Sequence, residues 1–241
     1  DFDSYFAAID EIRHRYGDRI DVRSGVELGL MNTVAGKARD IADKYKNELD
    51  FIIGSSHLVR GLDPYYPAYY EGRTEIEGIR DYFESILENV TLIDDFDVYG
   101  HLDYVVRYCP SGEKIFRMAD YNDVLEQIFS KIPIYDLGCN ISDEAVLTSY
   151  NAMKPKIIPK GKGIEINTGS LYKNMSYAHP HMDILKLYKD MGGEIITVGS
   201  DAHKPEYLCY DFETYARDAL TSLGYRYYCT FKNRKPEFNP L

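Results

Sequence analysis

Apolar runs of strand length recur along this sequence, and five of them stop at a polar side chain able to bind a metal or a hydrogen-bonding partner. Residues 20–27 close on Glu27, 49–57 on His57 and 96–101 on His101. Residues 163–168 close at Asn167, and the run 195–198 leads into Gly199-Ser200-Asp201-Ala202-His203. Between and around them, helical spacing predicts helices over 4–16, 33–46, 75–89, 121–131, 180–191 and 210–223, with a last apolar strand at 226–231. Strands alternating with helices predict an α/β fold with a parallel sheet. A (β/α) barrel gathers the carboxyl ends of all its strands on one face. An open doubly wound sheet spreads them along an edge, with function at a switch point. Five polar strand ends favour the barrel. Residues 132–162 resist a clean reading, apart from a short helix expected at 142–152 with Ser142 as its cap.

Bulk properties narrow the function. The 241 residues, 44% hydrophobic, suit one domain spanning 1–241. No apolar run approaches the ~20 residues of a membrane span, and no secretory signal precedes the first helix, so a cytoplasmic protein is expected. A net charge of −11 argues against a nucleic-acid partner, which calls for a basic stripe. Cys109, Cys139, Cys209 and Cys229 form no Cys-x-x-Cys pair and are expected to be reduced, mostly buried thiols. The 23 tyrosines read as half-buried surface and core residues.

Glu27, His57, His101, Asp201 and His203 together form a nitrogen and oxygen donor set that suits zinc, iron or manganese better than calcium. A carboxylate such as Glu27 can bridge two cations. Two cations ~3.5–4 Å apart can clamp a phosphoryl group and activate water, which points to hydrolysis of a phosphate ester or an amide. Any one of these histidines could instead be a hydrogen-bonded core residue. His14 reads as a solvated helix residue. His179 and His181, flanking Pro180, read as a loop with a capping role before a helix.

The segments Gly25-Val26-Glu27-Leu28-Gly29, Gly54-Ser55-Ser56-His57, Asp63-Pro64-Tyr65-Tyr66-Pro67, Gly100-His101-Leu102-Asp103, Gly163-Ile164-Glu165-Ile166-Asn167-Thr168 and Gly199-Ser200-Asp201-Ala202-His203 carry a resemblance. So does the tail from Thr230 to Pro236. Together they resemble the histidinol-phosphate phosphatases of the polymerase and histidinol phosphatase (PHP) superfamily. The resemblance implies a distorted seven-stranded (β/α) barrel with up to three divalent metals, and a place in histidine biosynthesis. Glu27 would then bridge two metals, His57 and His101 would complete the ligands of one, Asp201 would bind the second and His203 the third. A metal-bound hydroxide would attack phosphorus in line, releasing histidinol and phosphate. A cation would hold the phosphate: Arg107 first, then Lys173 or Arg60.

The sequence departs from the family in one respect. The family opens with a strand carrying His-x-His, whereas this chain opens at the helix that follows, so six strands are visible where seven are expected. The difference is about one βα unit, on the order of 30 residues. Only Glu27, His57 and His101 then complete a three-ligand site, the count of a catalytic zinc with an open position. The exposed sheet edges could be covered by another chain, so an oligomer is possible. Two alternatives stand beside the phosphatase: a related enzyme acting on another small phosphorylated metabolite, and a non-catalytic fragment holding one metal.

Overall fold

A computed structural model describes residues 1–132 and 162–241. Five strands run parallel: β1 (Gly25–Gly29), β2 (Phe51–Ser55), β3 (Val98–Tyr99), β4 (Gly163–Asn167) and β5 (Ile196–Gly199). They pair in the order in which they occur, β1-β2-β3-β4-β5. An open doubly wound sheet reverses its strand order at a switch point; among the described residues this sheet has no reversal. The helices are α1 (Phe2–Tyr16), α2 (Ala35–Lys44), α3 (Glu75–Leu92), α4 (Asn122–Lys131), α5 (Met182–Asp190) and α6 (Arg217–Ser222), the last entered through a π-helical turn at Phe212–Ala216. No described helix is long and apolar enough to cross a membrane.

The core lies between sheet and helices. In α3 the buried Ile79, Tyr82, Phe83, Ile86 and Val90 recur at helical spacing and form one stripe. They belong to the same apolar cluster as Ile52, Tyr99, Ile164, Ile166 and Ile196 of the sheet. The start of α3 is set by a capping box. Thr74 Oγ1 accepts the Glu77 N–H at 3.2 Å, and the Glu77 carboxylate accepts the Thr74 N–H at 2.7 Å. From α3, Tyr82 donates to the Ser56 carbonyl at 2.9 Å and Asn89 to Ser56 Oγ at 2.9 Å, which fixes the chain just past β2. On β4 every residue is buried, because both of its faces are covered. Side chains alternate across a strand, so Ile164 and Ile166 enter the helix-facing core while Glu165 and Asn167 point the other way.

The sequence reading is corrected at three places. Strand β1 starts at Gly25 rather than near Ile20, because the preceding backbone is held by side chains: Arg13 Nε donates to the Val22 carbonyl at 2.9 Å, and the Ser24 N–H donates to Asp50 Oδ2 at 3.0 Å. Strand β3 is reduced to two residues, since Asp97 spends its side chain on the Ile52 N–H at 2.7 Å. The last strand, β6 (Tyr227–Lys232), does not join the parallel sheet; it pairs antiparallel with an unforeseen strand β7 (Lys235–Pro240). Its two-residue turn, Asn233-Arg234, has φ of 49° and 62°, the left-handed geometry of tight hairpins. The helix expected at 142–152 and Cys139 lie outside the described residues. Cys109 and Cys229 are buried free thiols, and Cys209 is an exposed one.

The hairpin turn is tied beneath the sheet by two acids. Asp50 accepts the Asn233 N–H at 3.0 Å, and its carbonyl accepts the Arg234 N–H at 2.9 Å. Arg234 Nε donates to Asp97 at 2.6 Å. Asp97 is buried, and that burial pushes its carboxyl up against the opposing pull of Arg234. Replacing Asp97 with Ala leaves Arg234 and the Ile52 N–H without their acceptor. Asp97→Ala should cost about 3 kcal/mol, read from urea unfolding. A loss below about 1 kcal/mol would show that the pair does not anchor the hairpin.

Candidate metal centre

Parallel pairing in sequence order places the carboxyl ends of β1 to β5 side by side, and the polar strand ends meet there. Glu27 lies on β1, and His57 and His101 lie two residues beyond β2 and β3. His101 Nε2 is 3.1 Å from Glu27 Oε1, and His57 Nε2 is 3.5 Å from the same oxygen. The three ligand atoms lie within 4.8 Å of one another. The two imidazoles face each other at 5.0 Å between centroids, and both rest against the Tyr104 ring at 5.1 Å. Among the described residues this is the one cluster with metal-binding geometry.

The donor chemistry fits a divalent cation. The hydrogen bond from His101 holds the Glu27 carboxyl down at about 2, against the opposing effect of its burial, so it is an anion. Burial, followed by the neighbouring His101, lowers His57 and keeps its imidazole neutral with a lone pair to offer. For His101, burial pulls downward but the hydrogen bond to Glu27 and the Glu165 carboxylate outweigh it, so the ring is raised. One carboxylate and two imidazoles leave an open position for a substrate or water.

Around the triad lies a cleft of about 260 Å³, lined also by Tyr104, Arg107, Asn167, Lys173, His179, Asp201 and His203. A larger hollow, about 420 Å³, lies by Arg13, Asp50 and Asn233, where Arg13 already pairs with Asp50 at 2.8 Å and with Asp10, and Arg23 with Asp21. The cleft at the strand ends is therefore the candidate site.

The other residues read from the sequence take different positions. Asp201 lines the cleft with its carboxylate 2.8 Å from Lys173 Nζ and 3.2 Å from His203 Nε2, outside the triad. Its φ is 49°, a left-handed conformation uncommon for a residue with a side chain. Tyr172 steadies that turn, donating to the Ser200 and Asp201 carbonyls at 3.0 and 2.6 Å and stacking on Tyr207 at 4.0 Å. The His203 side chain is 81% exposed. Arg107 lies over the Tyr108 ring at 4.6 Å and reaches the cleft. Arg60 does not reach it; its guanidinium pairs with Asp81 and with Glu88.

Sequence reasoning missed one pair. His179 is not a cap: it is 2% exposed, with Nδ1 2.5 Å from Asp103 Oδ1, and its Nε2 is buried at the cleft without a partner among the described residues. The second Asp103 oxygen accepts the His181 N–H at 2.9 Å. His181 is the residue that caps α5, its Nδ1 accepting the Asp183 N–H at 3.2 Å. A carboxylate that orients an imidazole towards a cleft equips it for proton transfer. The signals were Asp103, two residues after a strand-end His, and the His-x-His spacing at 179–181, obscured by the proline between.

Comparison with known proteins adds ancestry to this geometry. The chain is 28% identical over 213 residues, 88% of its length and 71% of the other's, to a Clostridium acetobutylicum protein named "Probable histidinol-phosphatase". It is 25% identical over 238 residues, 98% of its length and 77% of the other's, to the histidinol-phosphatase of Lactococcus lactis subsp. lactis. A solved histidinol phosphate phosphatase from Lactococcus lactis subsp. lactis Il1403, complexed with zinc, L-histidinol and phosphate, shares its fold. That likeness has a TM-score of 0.73 at 24% identity, covering 98% of this chain and 80% of that one. The PHP domain model matches residues 1–169, well over half of the sequence. The chain belongs to the PHP domain family.

Proposed function

We propose that this chain hydrolyses a phosphate monoester, with L-histidinol phosphate as its substrate. The observation that carries the reading is a carboxylate shared by two imidazoles at adjacent strand ends, in a cleft that also holds an acid-oriented histidine and two cationic side chains. The relatives named as histidinol-phosphatases, and the Lactococcus structure with zinc, L-histidinol and phosphate, support the choice of substrate. The proposal includes a distorted seven-stranded barrel, and further cations at Asp201 and His203, up to three in all.

Glu27, His57 and His101 would hold a divalent cation, which when bound polarises a phosphoryl oxygen and lowers the pKa of water. Arg107 supplies the fixed charge for the phosphate, its guanidinium lying over the Tyr104 and Tyr108 rings. Lys173 holds Asp201 and adds a second positive charge on the same wall. His179, kept in one orientation by Asp103, presents Nε2 to the leaving oxygen and gives it a proton as the phosphorus–oxygen bond breaks. Tyr104, packed on both triad imidazoles, lines the side of the cleft.

Three measurements test this reading. Turnover on L-histidinol phosphate should exceed turnover on glucose 6-phosphate by at least about 100-fold in kcat/KM, the scale on which built-in polar recognition discriminates. Equal rates would point to another phosphorylated metabolite, and no turnover on either to a non-catalytic chain. His57→Ala should release zinc, measured by elemental analysis after dialysis, and lower kcat by a factor on the order of 10³; unchanged zinc content would remove His57 from the ligands. His179→Asn should lower kcat on L-histidinol phosphate by about 10² while affecting p-nitrophenyl phosphate much less, because nitrophenolate leaves without a proton. An equal loss on both substrates would deny His179 the role of proton donor.

A further inference from the structure

Glu165 is not one of the triad ligands, yet it lies directly behind them. It is 5% exposed, on the face of β4 opposite the helix-packed Ile164 and Ile166. Among the described residues no lysine or arginine pairs with it. The strands beside it give it room through glycines. A Cβ at Gly199 would come within 2.2 Å of Glu165 Oε1, and one at Gly100 within 3.2 Å of Oε2. Both neighbouring strands thus lack a side chain where this carboxylate sits.

Its partners are specific. Glu165 Oε2 accepts the backbone N–H of His101 at 3.2 Å and the Asn167 side-chain amide at 3.2 Å. His101 needs that acceptor because it leaves the sheet abruptly. Gly100 still makes a ladder bond, its N–H to the Gly54 carbonyl at 2.8 Å. At His101 φ is 27°, a positive value that costs a non-glycine residue strain and persists only where the surroundings impose it. The His101 carbonyl is held by the Tyr104 N–H at 2.9 Å, so Glu165 secures the other side of the same residue. The turn aims the imidazole at Glu27; in an extended continuation of β3 the ring would point elsewhere. The same oxygen reaches the second functional histidine through Asn167, whose N–H and carbonyl pair with His179 at 2.7 and 3.0 Å.

We propose that Glu165 is a positioning residue: its Oε2, as a buried acceptor, fixes the left-handed turn of His101 and so places the imidazole for the triad. The role is that of an acceptor at the right reach, and the charge is incidental. It rests on the reading of Glu27, His57 and His101 as metal ligands for its consequence, and on hydrogen bonding alone for its cause. Partners of this kind orient metal-binding histidines, and their loss typically costs 10–100-fold in affinity.

The test uses the full chain and zinc ion alone. Glu165→Gln keeps an oxygen at the same reach, whereas Glu165→Asp keeps the acid but withdraws it by one methylene. In Glu165→Asp the zinc dissociation constant should rise at least tenfold, measured by competition with a chromophoric chelator. Hydrogen exchange at the His101 amide should quicken. Glu165→Gln should stay within about threefold on both readouts. Zinc affinity and His101 exchange both unchanged in Glu165→Asp would overturn the proposal, as would lower thermal stability with zinc affinity intact. Equal losses in the two variants, or a Gln variant that fails to fold by circular dichroism, would show that charge matters and overturn it as well. If the unaltered chain binds no zinc, the metal reading of the triad fails, and the His101 exchange rates still decide whether Glu165 holds the turn.

Discussion

Parallel pairing is the constraint on which the rest of this molecule depends. A parallel strand must be re-entered from the same end, so each connection returns across the sheet, usually as a helix. The helices that cover one face, and the cluster of Ile52, Tyr99, Ile164, Ile166 and Ile196 beneath them, follow from that requirement. The functional geometry follows too. With the order β1 to β5 unreversed, strand ends far apart in sequence become neighbours, and Glu27 comes within 3.1 Å of an imidazole 74 residues away.

The two ends of the sheet handle charge differently. Below, Asp50 and Asp97 are neutralised by Arg13 and Arg234 and by backbone N–H groups, which converts buried charge into tethers for α1 and the C-terminal hairpin. Above, Glu27 is met by the imidazoles of His101 and His57 and by the Ser55 hydroxyl, and the cationic Lys173 and Arg107 stand at the cleft wall. A carboxylate flanked by two imidazoles in a half-buried cleft suits a bound cation. The same logic separates the histidines. His57 and His101 share Glu27, while His179 is held by Asp103 and faces the cleft with its other nitrogen free, which suits proton transfer rather than ligation.

Two of the backbone irregularities lie where the site is built. His101 and Asp201 both adopt positive φ just past strand ends, and each is held by a partner from a neighbouring segment: Glu165 for the first, Tyr172 for the second. Strand ends supply direction but not the final angle of a side chain. That angle is set by hydrogen bonds from elsewhere in the chain.

The sequence by itself determined the α/β class and the parallel sheet, and put forward Glu27, His57 and His101 among five candidate ligands, because apolar runs ending in polar residues are a local signal. Family membership was legible in the same segments. Tertiary structure alone decided the pairing of His179 with Asp103, since residues 76 apart carry no mutual mark in the sequence and Pro180 made the segment look like a plain turn. It also decided that the last strand forms a hairpin rather than joining the sheet, because Lys235–Pro240 is too polar and proline-flanked to read as a strand until Asp50 holds its turn. The contrast between Arg107, which reaches the cleft, and Arg60, bound by Asp81 and Glu88, was likewise invisible in the sequence. A cation's partner is fixed by which acids the fold brings within a few ångströms, and no local pattern encodes that distance.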